Sequence, residues 1–311
     1  VVIVHATPEF LPALEHLAPP GVPLILHTVW EFERLPRDWP DLINRADGVI
    51  VPTRWNAQTF AEAGVRVPIL VVPHAHVEGI ESPQTAWLEP FCPPDDVMLH
   101  SIATWHPRKR PDVTLAAYAS AFGPGDATTM VLRTSGQVES PPADVGWPAH
   151  RHSETSWLVA DLMHRHAPAP RLHVITDVLT FEQIAGLHHR SGCWVSLPHA
   201  EGWDLGCFDA AVAGCPVITT AYGAPLEYLD PDAAHLVPAR LVDSDFHRGS
   251  VWAVPDLDIA VDMLRWVHAD PEAAVRRAAA QAERLRATHE PAAVAADLVD
   301  QLHRSGFVGA K

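Results

Sequence analysis

The sequence predicts an α/β protein with two doubly wound, Rossmann-like domains built on parallel sheets. Three observations carry this. Short runs of consecutive apolar residues recur along the chain. Segments of helical spacing separate them. A polar, proline-bearing stretch, Glu78–Pro94, divides the alternation into two series. Continuous apolar strands alternating with helices mark parallel sheets covered on both faces.

In the first series the predicted strands are Val1–His5, Pro23–Thr28, Gly48–Pro52 and Ile69–Pro73, and the predicted helices Phe10–Leu17, Asp38–Ala46 and Trp55–Ala63. In the second, strands fall at Val97–Ala103, Thr129–Arg133, Leu172–Thr176, Cys193–Leu197, Pro216–Thr220 and His235–Pro238. Helices fall at Asp112–Phe122, Thr155–His166, Phe181–His189 and Leu205–Ala213, and Gly136–Gly146 reads as a loop. The tail from Asp256 to His303, rich in Ala, Arg and Glu, reads as helices. The implied organisation is a first domain over 1–77, a linker over 78–94 and a second domain over 95–289, with a helix over 290–304 able to complete the first. Val1–His5 is apolar and no turn signal precedes it, so it reads as a strand buried on both faces. With only four strands in its sheet, the first domain looks incomplete. Val1–His5 should lie at the sheet border, covered by the helix near Ala292–His303, by another chain or by sequence outside this one.

The 311 residues are 48% hydrophobic and 19% charged, which is globular composition. A net charge of −16, from 22 Lys+Arg against 38 Asp+Glu, argues against nucleic-acid binding and against a basic membrane-docking surface. Cys92, Cys193, Cys207 and Cys215 form no C-x-x-C pair and read as free thiols in a reducing compartment, hence a cytoplasmic protein. No apolar run is long enough to span a membrane.

Ligands in open α/β sheets bind at the carboxyl ends of strands, so the segments that follow strands matter most. After Val97–Ala103 the chain reads Thr104-Trp105-His106-Pro107-Arg108-Lys109-Arg110-Pro111-Asp112, placing three cations before a helix N-terminus. Cations there oppose the helix dipole, and the cluster makes sense if a phosphate fills the gap. The plainer reading is a solvated basic turn with Asp112 as the cap. After Cys193–Leu197 comes Pro198-His199-Ala200-Glu201-Gly202-Trp203-Asp204-Leu205. Glu201 falls in the turn, and Asp209 on a helix expected to bury Leu205, Phe208 and Val212. Carboxylates at the strand ends suit hydroxyl donors such as those of a ribose or a hexose. Taken alone they more readily describe a loop acid and a helix-dipole partner.

Together these segments resemble the retaining GT-B glycosyltransferases of glycosyltransferase family 4. The likeness runs through Trp105-His106-Pro107-Arg108-Lys109, Leu179-Thr180-Phe181-Glu182-Gln183-Ile184, Ser196-Leu197-Pro198, and Glu201 to Thr220 with its Gly214-Cys215-Pro216-Val217-Ile218. In the first half Thr28–Pro36, Val51-Pro52-Thr53-Arg54-Trp55-Asn56 and Val72-Pro73-His74-Ala75 continue it. The resemblance implies two Rossmann-like domains facing a cleft. It also implies a donor diphosphate on Arg108 and Lys109, a donor sugar on Glu201, and a ribose on Asp209. Backbone amides from Gly202 through Trp203, Asp204 and Leu205 would help hold the donor. His27 and Glu31 stand where many members carry a cleft histidine. Glu31 would line the sugar or acceptor pocket, or else pair with Arg34. The implied reaction retains anomeric configuration and needs no metal and no cofactor beyond a UDP- or GDP-sugar used as substrate. The acceptor would be a glycan, a lipid-linked saccharide or a small molecule.

This chain departs from the family pattern at three positions. Asp209 replaces a Glu, Asp204 stands where Gly is usual, and Thr104 stands where an Arg is common. Those departures keep a catalytically silent subunit of the same fold in play, alongside a nucleotide-sugar epimerase or hydrolase. A dinucleotide dehydrogenase is disfavoured because no G-x-G-x-x-G follows a predicted strand. His74-Ala75-His76 has a metal-like look but too few ligands nearby in sequence, so no metal is expected there.

Overall fold

Four parallel strands pair in chain order in the first half: β1 (Val2–His5), β2 (Leu24–His27), β3 (Gly48–Val51) and β4 (Ile69–Val71). Helices α1 (Leu11–Leu14), α2 (Trp39–Ile43) and α3 (Arg54–Glu62) connect them. The structure is a computed structural model that describes residues 1–76, 83–136 and 155–309. The expected loop at Gly136–Gly146, beyond its first residue, and part of the linker lie outside those residues.

The second half carries β5 (Val97–Ile102), α4 (Pro111–Ala121), β6 (Thr128–Arg133), α5 (Thr155–Arg165), β7 (Arg171–Ile175), α6 (Phe181–Arg190) and β8 (Cys193–Ser196). It continues through α7 (Leu205–Ala213), β9 (Val217–Thr220), α8 (Pro225–Tyr228), β10 (His235–Val237), β11 (Ala239–Asp243) and β12 (Val251–Pro255). The parallel sheet runs β7-β6-β5-β8-β9-β10. The chain steps outward from β5 to β7, returns to the other side of β5 at β8, and steps outward again. That reversal is the doubly wound order, and its crevice opens between the carboxyl ends of β5 and β8. Three helices close the chain: α9 (Leu257–Ala269), α10 (Pro271–Thr288) and α11 (Pro291–Arg304).

The helices begin where the sequence offers acceptors for their first amides. Thr53 caps α3, a Thr180–Gln183 capping box opens α6, and Asp256, Asp270 and Glu290 cap α9, α10 and α11. Gly214 ends α7 at φ +85°, a left-handed conformation that costs a glycine nothing. Both faces of the second sheet are buried. Leu99, Val195 and Ile218 pack towards Leu115 of α4 and Leu264 of α9, while Trp194 and Val217 pack towards Phe208 of α7 and Leu285 of α10. In the first sheet Leu26, Val49 and Val51 meet Leu11, Ile43 and Phe60; Ile25, Ile50 and Leu70 meet Leu298 and Leu302 of the returning α11. The Gln301 side chain donates to the Val71 carbonyl at 2.7 Å and accepts from its N–H at 3.2 Å, satisfying the outer edge of β4 as another strand would.

Several sequence expectations need correction. Phe10–Leu17 is α-helical only over Leu11–Leu14, between single 3-10 turns, and Asp38–Ala46 only over Trp39–Ile43. Prolines 8, 12, 36 and 40 remove donors and limit both segments. β1 does border its sheet, yet it is not buried on both faces: Ile3 is 40% exposed while Val4 is buried. α11 covers the face over β2, β3 and β4 rather than the free edge of β1. Leu205 is exposed, since it opens α7 rather than joining Phe208 and Val212 inside. The antiparallel β11–β12 ribbon and the four-residue α8 were not legible in the pattern. No helix among the described residues is long and apolar enough to cross a membrane.

Candidate functional site

β5 and β8 are neighbours, so the loops that follow them face each other. Arg108, Lys109 and Glu201 meet there. Glu201 Oε2 lies 2.8 Å from Arg108 Nη1, and Glu201 Oε1 lies 3.0 Å from Lys109 Nζ. Arg108 also reaches the Ala200 carbonyl at 2.8 Å and Glu31 of the first half at 3.1 Å. Glu31 therefore pairs with Arg108, not with Arg34. Arg110 turns elsewhere. Its backbone is left-handed at φ 46°, and its guanidinium binds Asp112 and approaches His199 Nε2 at 3.2 Å. It occupies the position expected for Asp112 as cap of α4.

Burial opposes the charge on Glu201, but Arg108 and Lys109 outweigh it and hold the carboxyl below its ordinary range. Burial likewise opposes the Arg108 charge, and Glu201 and Glu31 outweigh it and raise its pKa. Burial pushes His106 down to about 4, with the Arg108 and Lys109 charges adding to the effect. Its Nδ1 accepts from the Arg108 N–H at 3.1 Å, which fixes the loop.

Glu31 is placed by the first half. Thr53 caps α3, and the buried Asn56 one turn later donates its side-chain amide to the Trp30 carbonyl at 2.7 Å. Trp30 meets Trp39 edge-on, and Phe32 inserts among Ala200 and Trp252 of the second half. Gly202 lets the two halves touch: a Cβ there would overlap Val29 and lie 2.8 Å from the Trp30 carbonyl. Two further carboxylates join the halves. Glu33 accepts from Tyr222 Oη at 3.1 Å and from the Val251 N–H at 2.7 Å, and Glu227 accepts from the Arg54 and Trp55 N–H groups that open α3. Sequence reasoning missed Glu33 and Glu227. The only available signal was the alternation Trp30-Glu31-Phe32-Glu33.

The N-terminus of α7 lies on the same loop. Among the described residues no hydrogen bond takes up the N–H groups of Trp203, Asp204 or Leu205. Asp204 caps α7 in a left-handed conformation (φ 63°), accepting from the Cys207 N–H at 3.2 Å. Its other carboxylate oxygen is buried without a partner, as is Asp209 Oδ1. Burial, then the charge of Glu201, pushes Asp204 up to about 7. Burial, then Asp204, does the same to Asp209. The Trp203 ring packs against Phe208, Tyr228 and His74. His27 stacks on His5 with ring centroids 4.5 Å apart, and burial followed by the charges of His5 and His74 lowers it to about 4. No group of three or more His, Cys, Asp or Glu among the described residues is placed to hold a metal ion.

The architecture is α/β with the GT-B fold. No family model matches the chain, and no curated protein matches it. Solved structures do match. HepE of Anabaena in complex with UDP and glucose superposes with a TM-score of 0.72 at 13% identity, covering 97% of this chain and 78% of that one. Sucrose-phosphate synthase from Thermosynechococcus elongatus gives a TM-score of 0.72 at 15% identity, covering 98% of this chain and 73% of that one. A point mutant of TarM from S. aureus, in a complex that includes UDP, gives 0.66 at 12% identity, covering 96% of this chain and 55% of that one.

Proposed function

We propose that the chain transfers a sugar from a nucleotide-diphosphate-sugar donor to an acceptor hydroxyl, with retention of configuration and without a metal. One observation carries the reading: Arg108 and Lys109 after β5 converge on Glu201 after β8, at the reversal of strand order. In the similar structures of HepE the ligands are UDP, UDP with glucose, and UDP-glucose. Departure of a nucleoside diphosphate builds negative charge on its β-phosphate. Arg108, Lys109 and the unpartnered amides opening α7 supply preorganised stabilisation of that charge. Glu201 accepts from sugar hydroxyls, and Asp209, with a buried unpartnered oxygen, accepts from the ribose. In retaining transfer on one face, the departing phosphate takes the acceptor proton, so no side-chain base is required.

A thermal-shift panel of UDP, GDP, dTDP and ADP tests this. One nucleotide should raise the melting temperature, since a ligand at 100 times its Kd stabilises the native state by about 2.7 kcal/mol. A second reading has a specific observation behind it. Arg108 is shared between Glu201 and Glu31, and Asp204 occupies the α7 N-terminus, as in a subunit that binds no donor. No shift with any nucleotide would favour that silent role. Release of free sugar without an acceptor would favour an epimerase or hydrolase.

At pH 8, where Asp209 is ionised, Asp209→Ala should weaken the shifting nucleotide by about 1.5–3 kcal/mol, the worth of hydrogen bonds to a charged group. The loss should vanish for the 2′,3′-dideoxy analogue. A parent protein that binds ribo and dideoxy forms equally would remove Asp209 from the ribose.

A further inference from the structure

A cavity of about 620 Å³ opens in the first half, between the segment Glu33–Pro40 and the outer face of α3. Its walls carry Trp55, Gln58, Arg34 and Arg37. Glu33 also lines it, and Glu31, which holds Arg108, is two residues away. No more than about 7 Å of backbone separates the cavity wall from the charge cluster.

The charges in this wall are unevenly satisfied. Both Glu33 oxygens accept hydrogen bonds from the second half, and Glu62 accepts from Gln58 at 2.7 Å. Among the described residues neither Arg34 nor Arg37 forms an ion pair, in a chain of net charge −16. Arg34 and Arg37 therefore line the cavity as cations without an ion-pair partner, beside a half-buried indole whose ring meets Tyr222 edge-on at 6.0 Å. An indole suits the C–H face of a sugar ring, and a guanidinium suits a carboxylate, which it can grip with two parallel bonds. A phosphate monoester, with nearly two charges, fits less well beside Glu33 and Glu62.

We propose that this cavity is an acceptor subsite for a sugar carrying a carboxylate, of the uronic acid type. This rests on the glycosyltransferase reading of the neighbouring charge cluster. The ring packs on Trp55, the carboxylate engages Arg34 and Arg37, and a hydroxyl one sugar further along reaches towards Glu31 and Arg108.

The test titrates the full chain with oligogalacturonate and oligoglucuronate trimers, with maltotriose as a neutral trimer and with glucose 6-phosphate. Binding is read by calorimetry, and thermal shifts with UDP, GDP, dTDP and ADP are run on the same sample. An acidic trimer should bind at least about tenfold tighter than maltotriose, the factor expected from one charge-assisted contact. The double change Arg34→Gln, Arg37→Gln should erase that preference, and Trp55→Ala should weaken every saccharide. Equal affinity for acidic and neutral trimers overturns the proposal. So do a preference that survives the double change, tighter binding of glucose 6-phosphate, and no saccharide binding at all. A nucleotide shift without acidic-sugar binding sinks the subsite alone. Acidic-sugar binding without a nucleotide shift keeps the subsite and overturns the donor reading, while failure of both removes the two together.

Discussion

The double change Arg108→Ala, Lys109→Ala is expected to abolish nucleoside diphosphate binding. Each cation would contribute one charge-assisted contact to the diphosphate, worth about 1.5–3 kcal/mol. If the two add, affinity falls by about a hundredfold to ten-thousandfold. The same change leaves the buried Glu201 without either cation. Breaking a buried pair from one side costs about 3–5 kcal/mol, so the double variant should also melt earlier. Loss of binding through unfolding must be told apart from loss of the site. Adding Glu201→Gln removes the stranded charge, so the triple variant should recover much of its stability, checked by urea denaturation. Its nucleotide affinity should stay undetectable by calorimetry. A folded triple variant that still binds UDP or GDP would show that the diphosphate lies elsewhere.

Glu31 enters the same balance from the first half. Its carboxylate occupies a guanidinium edge that a phosphate oxygen would want. Donor binding on this reading exchanges one carboxylate contact of Arg108 for a phosphate contact, and the exchange loosens a link between the two halves.

The second-half sheet was legible because most of its strands carry apolar runs, such as Cys193–Val195 and Met130–Leu132, between segments of helical spacing. The order of strands is not written in that pattern, yet the order brings Arg108 and Glu201 together. Adjacency of β5 and β8 depends on which helices fit which face, a tertiary outcome. The basic loop and the acid at position 201 stood out through charge in an acidic chain and through family resemblance. Glu33 and Glu227 did not, because each acts by accepting backbone N–H groups of a distant segment, and any exposed acid looks alike in sequence. The β11–β12 ribbon was missed for a related reason. Its residues mix Arg240, Leu241 and Asp243, since the ribbon is half solvated and lacks the apolar continuity of the core strands. β1 was misjudged in the opposite direction. Four apolar letters suggested burial on both faces, but Ile3 stays exposed because the returning helix packs over the neighbouring strands.

Asp204→Asn should stabilise the protein increasingly as pH rises from about 4 to about 7, the interval between ordinary and raised carboxyl pKa values. In the folded chain burial, then Glu201, raises Asp204 to about 7, while Lys109, the Cys207 N–H and Arg108 pull it back. An unfolded chain restores the ordinary value near 3.9. Below that pH both states hold the proton and the group costs nothing. Between the two values only the folded state holds it, so stability falls as pH rises. Above the folded value both states are ionised and the cost is constant, at most about 4 kcal/mol for this displacement. Asparagine keeps the oxygen that accepts from Cys207, so the cap of α7 survives and only the titration is removed. Asp209, raised by burial and then by Asp204, titrates in the same window and should be relieved in part by the same change. The stability gain of Asp204→Asn, from urea denaturation, should be small at pH 4, grow through pH 6 and level off above pH 7.5. Nucleotide affinity should follow, because an ionised Asp204 stands beside the expected diphosphate. The variant should bind more tightly than the parent at pH 8 and nearly equally at pH 5.5. A stability difference that stays flat from pH 4 to pH 8 would mean that Asp204 is ionised throughout, and that Arg108 and Lys109 neutralise it as fully as they do Glu201.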